Sequence, residues 1–313
     1  MKIRLLILLL ITSLPVVGGE RDYGLHPRQV ADGTYVLVGR NEHFDFHNGG
    51  NIVNTAFIVT PKGVIVIDTG PSRRYGEQLR KAIGQVTRQP IVQVYITHLH
   101  PDHFLGNQAF EDLPIAALEA TREGIRQLGE GFSDNLYRLV GSWMSGTRVV
   151  VPNRTAEPGT AEIGGHHLRL IALEGHTGAD LALLDETTGV LFAGDLVFHD
   201  RTPTTPHAHI DRWLNSLGEL REIDYRLLVP GHGEPVAGTA AIAQTADYLN
   251  WLESALTEAA ESGAAMAELL HPSAPAGVRE LAVFDDEYQR SLSHLYPALE
   301  EAALARGLVE PVE

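Results

Sequence analysis

The segment Thr97-His98-Leu99-His100-Pro101-Asp102-His103 gathers three imidazoles and a carboxylate into a few residues. An apolar, β-branched run from Ile91 to Ile96 leads into it and reads as a strand. On extended backbone, side chains two apart project to the same side, so His98 and His100 can share one metal ion. Pro101 then turns the chain into a helix, and Asp102 and His103 in its first turn point a different way, toward a second metal position. Neutral imidazole and carboxylate are the ligands zinc accepts where no thiolate is offered, and the chain has no cysteine.

Three further segments repeat one device: Glu174-Gly175-His176-Thr177, Ala193-Gly194-Asp195-Leu196 and Pro230-Gly231-His232-Gly233. Each sets a ligand-type residue beside glycine just after an expected strand, where glycine lets the backbone turn tightly and aim the side chain inward. With fifteen histidines in the chain, one HxH means little. HxHxDH at a strand end together with these three segments is not explained by a polar loop that happens to be rich in histidine.

The elements that must carry these residues are legible from periodicity. Thr34–Val38 alternates as a short strand. Ala56–Thr60 and Val64–Ile67 form a hairpin across Pro61-Lys62-Gly63. Asp68-Thr69-Gly70-Pro71 opens a helix with Tyr75, Leu79, Ala82, Ile83 and Val86 on one face. The spacing predicts a helix from the histidine cluster through Phe110, a strand at Ile115–Leu118, and a helix over Glu119–Ser145 carrying Leu128, Phe132, Leu136, Leu139 and Trp143. Strands are expected at Thr147–Val151, Ala161–Ile163, His167–Leu173, Leu181–Asp185, Val190–Ala193 and Leu227–Val229, with a helix at Arg212–Leu220. Ile242, Leu249, Leu252 and Leu256, then Tyr288, Leu292, Leu295 and Leu299, recur at helical spacing. Two successive sets of strands and helices, each closing on metal-type residues, fit two sheets packed face to face with helices outside.

Composition bounds the function. The chain has 313 residues, 44% of them hydrophobic and 20% charged, enough for a substantial core. A net charge of -16 repels phosphate backbones, so nucleic acid is not an expected partner. Met1-Lys2-Ile3-Arg4, the apolar Leu5–Val17 and the small Gly18-Gly19 read as a cleaved secretion signal over residues 1–19. The apolar run is short for a membrane span, and Pro15 interrupts it. A periplasmic or secreted protein starting near Glu20, without stable membrane insertion, is therefore expected. Lack of cysteine also removes thiol catalysis and lipoprotein attachment.

The order HxHxDH, then His, then Gly-Asp, then Gly-His, following Ile67-Asp68-Thr69-Gly70, resembles the metallo-β-lactamase superfamily over about residues 30 to 260. The resemblance implies a four-layer αββα sandwich, with a catalytic domain over residues 20–262 and a C-terminal helical extension over 263–313. It implies that His98, His100 and His176 hold one metal, Asp102, His103 and His232 the other, and that Asp195 bridges them. Two zinc ions are the expected cofactor, with iron or manganese also compatible. Aspartate at 195, where the commonest antibiotic-degrading members have cysteine, is similar to the general hydrolases of the superfamily. Histidine at 100, where redox flavodiiron members carry glutamate, favours hydrolysis. The leader, His-Pro-Asp-His-Phe-Leu-Gly-Asn and Leu-Tyr-Pro-Ala-Leu-Glu resemble exported metallohydrolases associated with quinoprotein oxidation and sulfur-oxidation clusters.

The implied reaction is hydrolysis of a small carbonyl ester, thioester, lactone or amide, with Asp102 as the candidate proton carrier or as ligand only. Asp68 reads either as an orienter of a ligand histidine or as a strand-end turn former. His199, His207 and His209, and His43 and His47, are candidates for the rim of the site or for ordinary exposed loop residues. Phe104, Phe132 and Trp143 read as core. His166, His167, His271 and His294 fit no metal spacing. The C-terminal helices are expected to cover the sandwich or to form a dimer contact. Specificity is expected from Phe44–Asn54, Glu130–Gly146 and Phe198–Asp211. Two rival functions remain compatible: a mononuclear iron enzyme similar to persulfide dioxygenases, and a non-catalytic periplasmic accessory protein. Substrate and oligomeric state are not legible.

Overall fold

Several strands of this chain are apolar on both faces, which requires cover on both sides. The computed structural model, which describes residues 21–307, supplies that cover; the expected leader at 1–19 lies outside the described residues. Strands β1 (Arg28–Ala31), β2 (Thr34–Leu37), β3 (Thr55–Thr60), β4 (Gly63–Ile67), β5 (Ile91–Tyr95), β6 (Ile115–Ala117) and β7 (Arg154–Thr155) form one sheet in that order. Its β1–β4 portion is antiparallel, and β4 to β7 pair in parallel. Strands β8 (Gly159–Ile163), β9 (His166–Leu173), β10 (Asp180–Asp185), β11 (Val190–Phe198) and β12 (Leu227–His232) form the second, antiparallel except for the β11–β12 pair.

Alternate residues of one strand serve different layers. Ile65 and Ile67 of β4 meet Leu181 and Leu183 of β10 between the sheets. Val64 and Val66 face outward to α1 (Arg73–Val86), where Tyr75, Leu79 and Ile83 cover them. After α1 come α2 (Pro101–Phe104) and α3 (Glu119–Val140), on the same side of the molecule. On the other outside, Leu184 and Leu191 pack under α4 (Ile210–Arg221) and α5 (Ala240–Glu261), followed by α6 (Ala276–Arg279) and α7 (Phe284–Ala305). The layers are therefore helix, sheet, sheet, helix. The apolar stripes of α5 and α7 are buried in that outer layer, so they cover the sandwich.

The structure departs from the sequence expectation at several elements. Thr147–Val151 forms no strand; Val149, Val150 and Val151 pack as irregular chain against the α3 side, and pairing waits until β7. The helix expected to Ser145 stops at Val140, because Gly141 takes φ +61°. Leu128 and Leu139 are exposed instead of buried. The helix expected through Phe110 is one α-helical turn followed by a 3₁₀ stretch, Leu105–Phe110. The strand expected to end at Ala193 runs on through the candidate ligand Asp195 to Phe198.

Candidate metal centre

The candidate ligands come from four strands or the turns after them. His98 to His103 follow β5, His176 follows β9, Asp195 lies within β11, and His232 closes β12. The fold brings all seven together in two groups. His98, His100, His176 and Asp195 form one, and Asp102, His103 and His232 the other, with the ligand atoms of each within 4.8 Å of one another. All are buried.

The local backbone explains how Asp195 enters. Gly194 takes φ +53° and breaks the register between β11 and β12. Gly231 serves differently: a Cβ there would lie 1.9 Å from Asp195 Oδ1, so glycine clears the space for the carboxylate. Asp195 Oδ2 stands 3.3 Å from His176 Nε2 and 3.2 Å from His232 Nε2, while Oδ1 is 3.1 Å from His103 Nε2. One carboxylate thus faces both groups.

The outer nitrogens of four of the imidazoles are held by neighbours, while His176 Nδ1 is buried without a partner. His103 Nδ1 is 2.8 Å from Asp68 Oδ2, and Asp68 also accepts hydrogen bonds from Thr97 N and Thr97 Oγ1, each at 2.8 Å. His98 Nδ1 lies 3.0 Å from Thr97 Oγ1, which, having spent its proton on Asp68, accepts. His232 Nδ1 donates to the Ile52 carbonyl at 2.7 Å. His100 meets the group through Nδ1 and presents Nε2 to His207 Nδ1 at 2.9 Å. Each outer N–H so fixed leaves a bare lone pair pointing inward.

Those inward atoms fit a metal and little else. His100 Nδ1 lies 3.1 Å from His98 Nε2, lone pair against lone pair, and 2.8 Å from His176 Nε2. His103 Nε2 and Asp195 Oδ1 are buried with no hydrogen-bond partner, an arrangement costly without a cation between them. Burial, reinforced by neighbouring imidazoles, holds His98, His100 and His176 well below the ordinary histidine range, in the neutral form that ligates. At His103 burial acts in the same direction, but Asp195, Asp68 and Asp102 outweigh it and raise the imidazole well above that range. Burial would likewise raise Asp195, yet His232, His103 and His98 hold it well below the usual carboxylate range. Positive charge is favoured among these carboxylates, and a metal cation would supply it.

A model of the metallo-β-lactamase superfamily matches residues 48–232. The chain belongs to that superfamily. It is 26% identical over 240 residues to the human acyl-coenzyme A thioesterase MBLAC2, an alignment covering 66% of this chain and 80% of that protein. It is 23% identical over 221 residues to a linear primary-alkylsulfatase of a Pseudomonas strain, covering 58% of this chain but 41% of that protein. Among solved structures, a metallo-β-lactamase from Pontibacter korlensis superposes with a TM-score of 0.60 at 21% identity, covering 72% of this chain and 99% of the other. This likeness establishes the fold; the related proteins named for an activity are hydrolases, and the His/Asp clusters indicate metal dependence.

A cavity of about 290 Å³ opens over the metal centre. Each segment expected to shape specificity contributes to it: Phe44 and Ile52 from the first, Phe132, Asn135 and Leu139 from the second, Arg201, Thr204 and His207 from the third. The second is the C-terminal half of α3 rather than a loop. Phe132 lines the cavity, whereas Phe104 and Trp143 are core, Trp143 donating from Nε1 to the Phe46 carbonyl at 2.8 Å. Of the rim histidines, His43 and His207 reach the cavity and His47 does not. His199 binds the Glu234 carbonyl through Nδ1 at 2.6 Å, and His209 caps α4 without a side-chain bond. His166 is structural, with Nδ1 3.2 Å from both carboxylate oxygens of Asp185.

Sequence reasoning missed Thr97, Glu287 and Arg290. Thr97 sits in the motif itself, and its hydroxyl was a readable signal. Glu287 and Arg290 enter the cavity from α7, where the apolar stripe at the same spacing hides them.

Proposed function

We propose that this protein is an exported dinuclear zinc hydrolase acting on a small carbonyl ester, thioester, lactone or amide, with thioesters the first class to examine. The observation that carries this reading is the placement of Asp195 against His176 on one side and His103 on the other. That placement supports a carboxylate that two ions would share. Two metal ions held by these residues would supply an acidified water and an electrophile for the substrate carbonyl.

The chain's own residues set the rest. Asp68, Thr97, the Ile52 carbonyl and His207 keep the ligand rings oriented, so little rearrangement is needed during reaction. Asp102 Oδ2 lies 3.5 Å from His232 Nε2 and 3.8 Å from His103 Nε2, at the floor of the cavity. A carboxylate ligating through one oxygen keeps the other for a proton. Asp102 takes the proton from the attacking water and returns one to the departing sulfur, oxygen or nitrogen as the acyl bond breaks. Phe44, Phe132 and Leu139 give the acyl group an apolar wall and limit water access.

Export rests on the leader-like first residues. Among the described residues no helix is long and apolar enough to cross a membrane. The net charge of -16 supports a small-molecule substrate over nucleic acid.

The test is elemental analysis of protein beginning at residue 20, purified without added metal. Near two zinc per chain, with thioester turnover, is the expected result. About one iron per chain would overturn the mechanism in favour of oxygen-dependent sulfur chemistry. Full metal loading without turnover of any acyl substrate would favour the accessory role.

A further inference from the structure

The wall of the cavity facing α3 is built by an ion cluster that ligation does not use. Glu287 of α7 is almost completely buried. Its Oε1 lies 3.3 Å from Arg201 Nη2 and 3.5 Å from His43 Nε2. Arg201, equally buried, is saturated: its guanidinium also donates to the carbonyls of Glu42 and Thr202 and lies against the Phe198 ring. This pair ties the His43 loop, the loop after β11 and the C-terminal helix together. Arg201 therefore has little left to offer a ligand.

Arg290 differs. One helical turn beyond Glu287, it lines the same cavity as Asp102, Asp195 and His232, with its side chain 37% exposed. Its nearest carboxylate oxygen is Glu287 Oε2 at 3.8 Å, beyond hydrogen-bond reach. Among the described residues its guanidinium donates no hydrogen bond, and Glu287 Oε2 is itself buried without a partner. The planar donor fork is thus aimed into a reaction cavity with its donors unspent. Burial pushes the His43 imidazole down, against the pull of Glu287, so it is neutral at pH 7. The cluster of Arg201, Glu287 and Arg290 then carries one net positive charge, suited to a monoanion rather than a dianion.

We infer that Arg290 is a specificity-determining residue that anchors a carboxylate on the substrate, set apart from the acyl bond cleaved over the metal centre. This rests on the hydrolase reading and adds the substrate class: acyl compounds bearing a second, anionic group. The apolar face of Phe44, Phe132 and Leu139 takes the intervening carbons. The cavity, about 290 Å³, holds roughly ten water volumes, so the spacer is short.

The test compares mono-4-nitrophenyl glutarate with neutral 4-nitrophenyl pentanoate on the metal-loaded protein. The wild type is expected to prefer the anionic ester by on the order of tenfold or more in kcat/KM, as expected for a charge-assisted bond. R290A should erase that preference through KM with kcat little changed, and R290K should recover part of it. Neutral-ester turnover should fall far less in R290A than anionic-ester turnover. No preference in the wild type, or a preference that survives in R290A, overturns the inference while leaving hydrolysis intact. If neither ester is cleaved, hydrolysis of this class is refuted, and the inference is read from calorimetric titration of hexanoate into metal-free protein. Binding weakened at least tenfold by R290A upholds it; equal binding, or none, overturns it.

Discussion

Asp68 Oδ2 lies 2.8 Å from His103 Nδ1, on a residue whose own backbone sits at φ +58°. Both sequence readings of Asp68 meet here, since the strand-end turn in left-handed conformation is what delivers the carboxylate to the imidazole. Asparagine tolerates that backbone almost as well as aspartate but brings an amide in place of the anion. D68N should therefore fold normally and lose metal affinity on the order of 10- to 100-fold. Competition with a chelating indicator measures it. Unchanged affinity would reduce Asp68 to a turn former.

Asp102 belongs to the second ligand group with His103 and His232 and lines the cavity floor. D102A is expected to lower kcat by at least on the order of 10²-fold and to reduce bound metal from near two ions toward one. Metal content and turnover should be measured on the same preparation. Full metal content with lost turnover would assign Asp102 to proton transfer alone; retained turnover would remove it from the mechanism.

Gly231 is fixed by space rather than by backbone freedom, because an added methyl would strike Asp195 Oδ1. G231A should displace the carboxylate, impair both metal positions and destabilise the fold by about 1–3 kcal/mol. Urea unfolding of metal-free protein reports the packing cost, and elemental analysis reports the lost ions. Normal stability together with normal metal content would contradict the geometry.

The buried pair of Arg201 and Glu287 predicts a stability effect separate from catalysis. E287A leaves Arg201 charged, buried and without its carboxylate, a change of about 3–5 kcal/mol. Thermal unfolding should show a markedly lower midpoint for E287A, while R290A, at a partly exposed position, stays near wild type.

Removing the metal should itself be destabilising. The inward lone pairs of His98 and His100 and the orphaned atoms of His103 and Asp195 face one another without compensation. Saturating zinc is expected to raise stability by about 2.7 kcal/mol for each site filled at a hundredfold excess over its Kd. A chelator-treated sample with an unchanged midpoint would argue against a metal centre.

The ligand-type residues were readable because their signals are local. His98 and His100 share a strand-end periodicity, Pro101 starts the next turn, and glycine marks Asp195 and His232. The layers were readable in β4 and β10, where apolar residues run through both faces of each strand. Thr147–Val151 misled for a physical reason: β-branched residues state a preference for extended chain, but pairing needs a free sheet edge, which only β7 reaches. Leu128 and Leu139 misled because helical spacing says that a stripe exists, not which of its ends meets the core.

By itself the sequence determined the fold family, the candidate ligand residue types and their order, since each is written in neighbours a few residues apart. The tertiary structure decided what depends on distant segments meeting. It set Asp195 between the two ligand groups, chose the Ile52 carbonyl and His207 as holders of ligand rings, and brought Glu287 and Arg290 across to Arg201. Those contacts span dozens to nearly two hundred residues of chain, and no local period encodes a partner that far away.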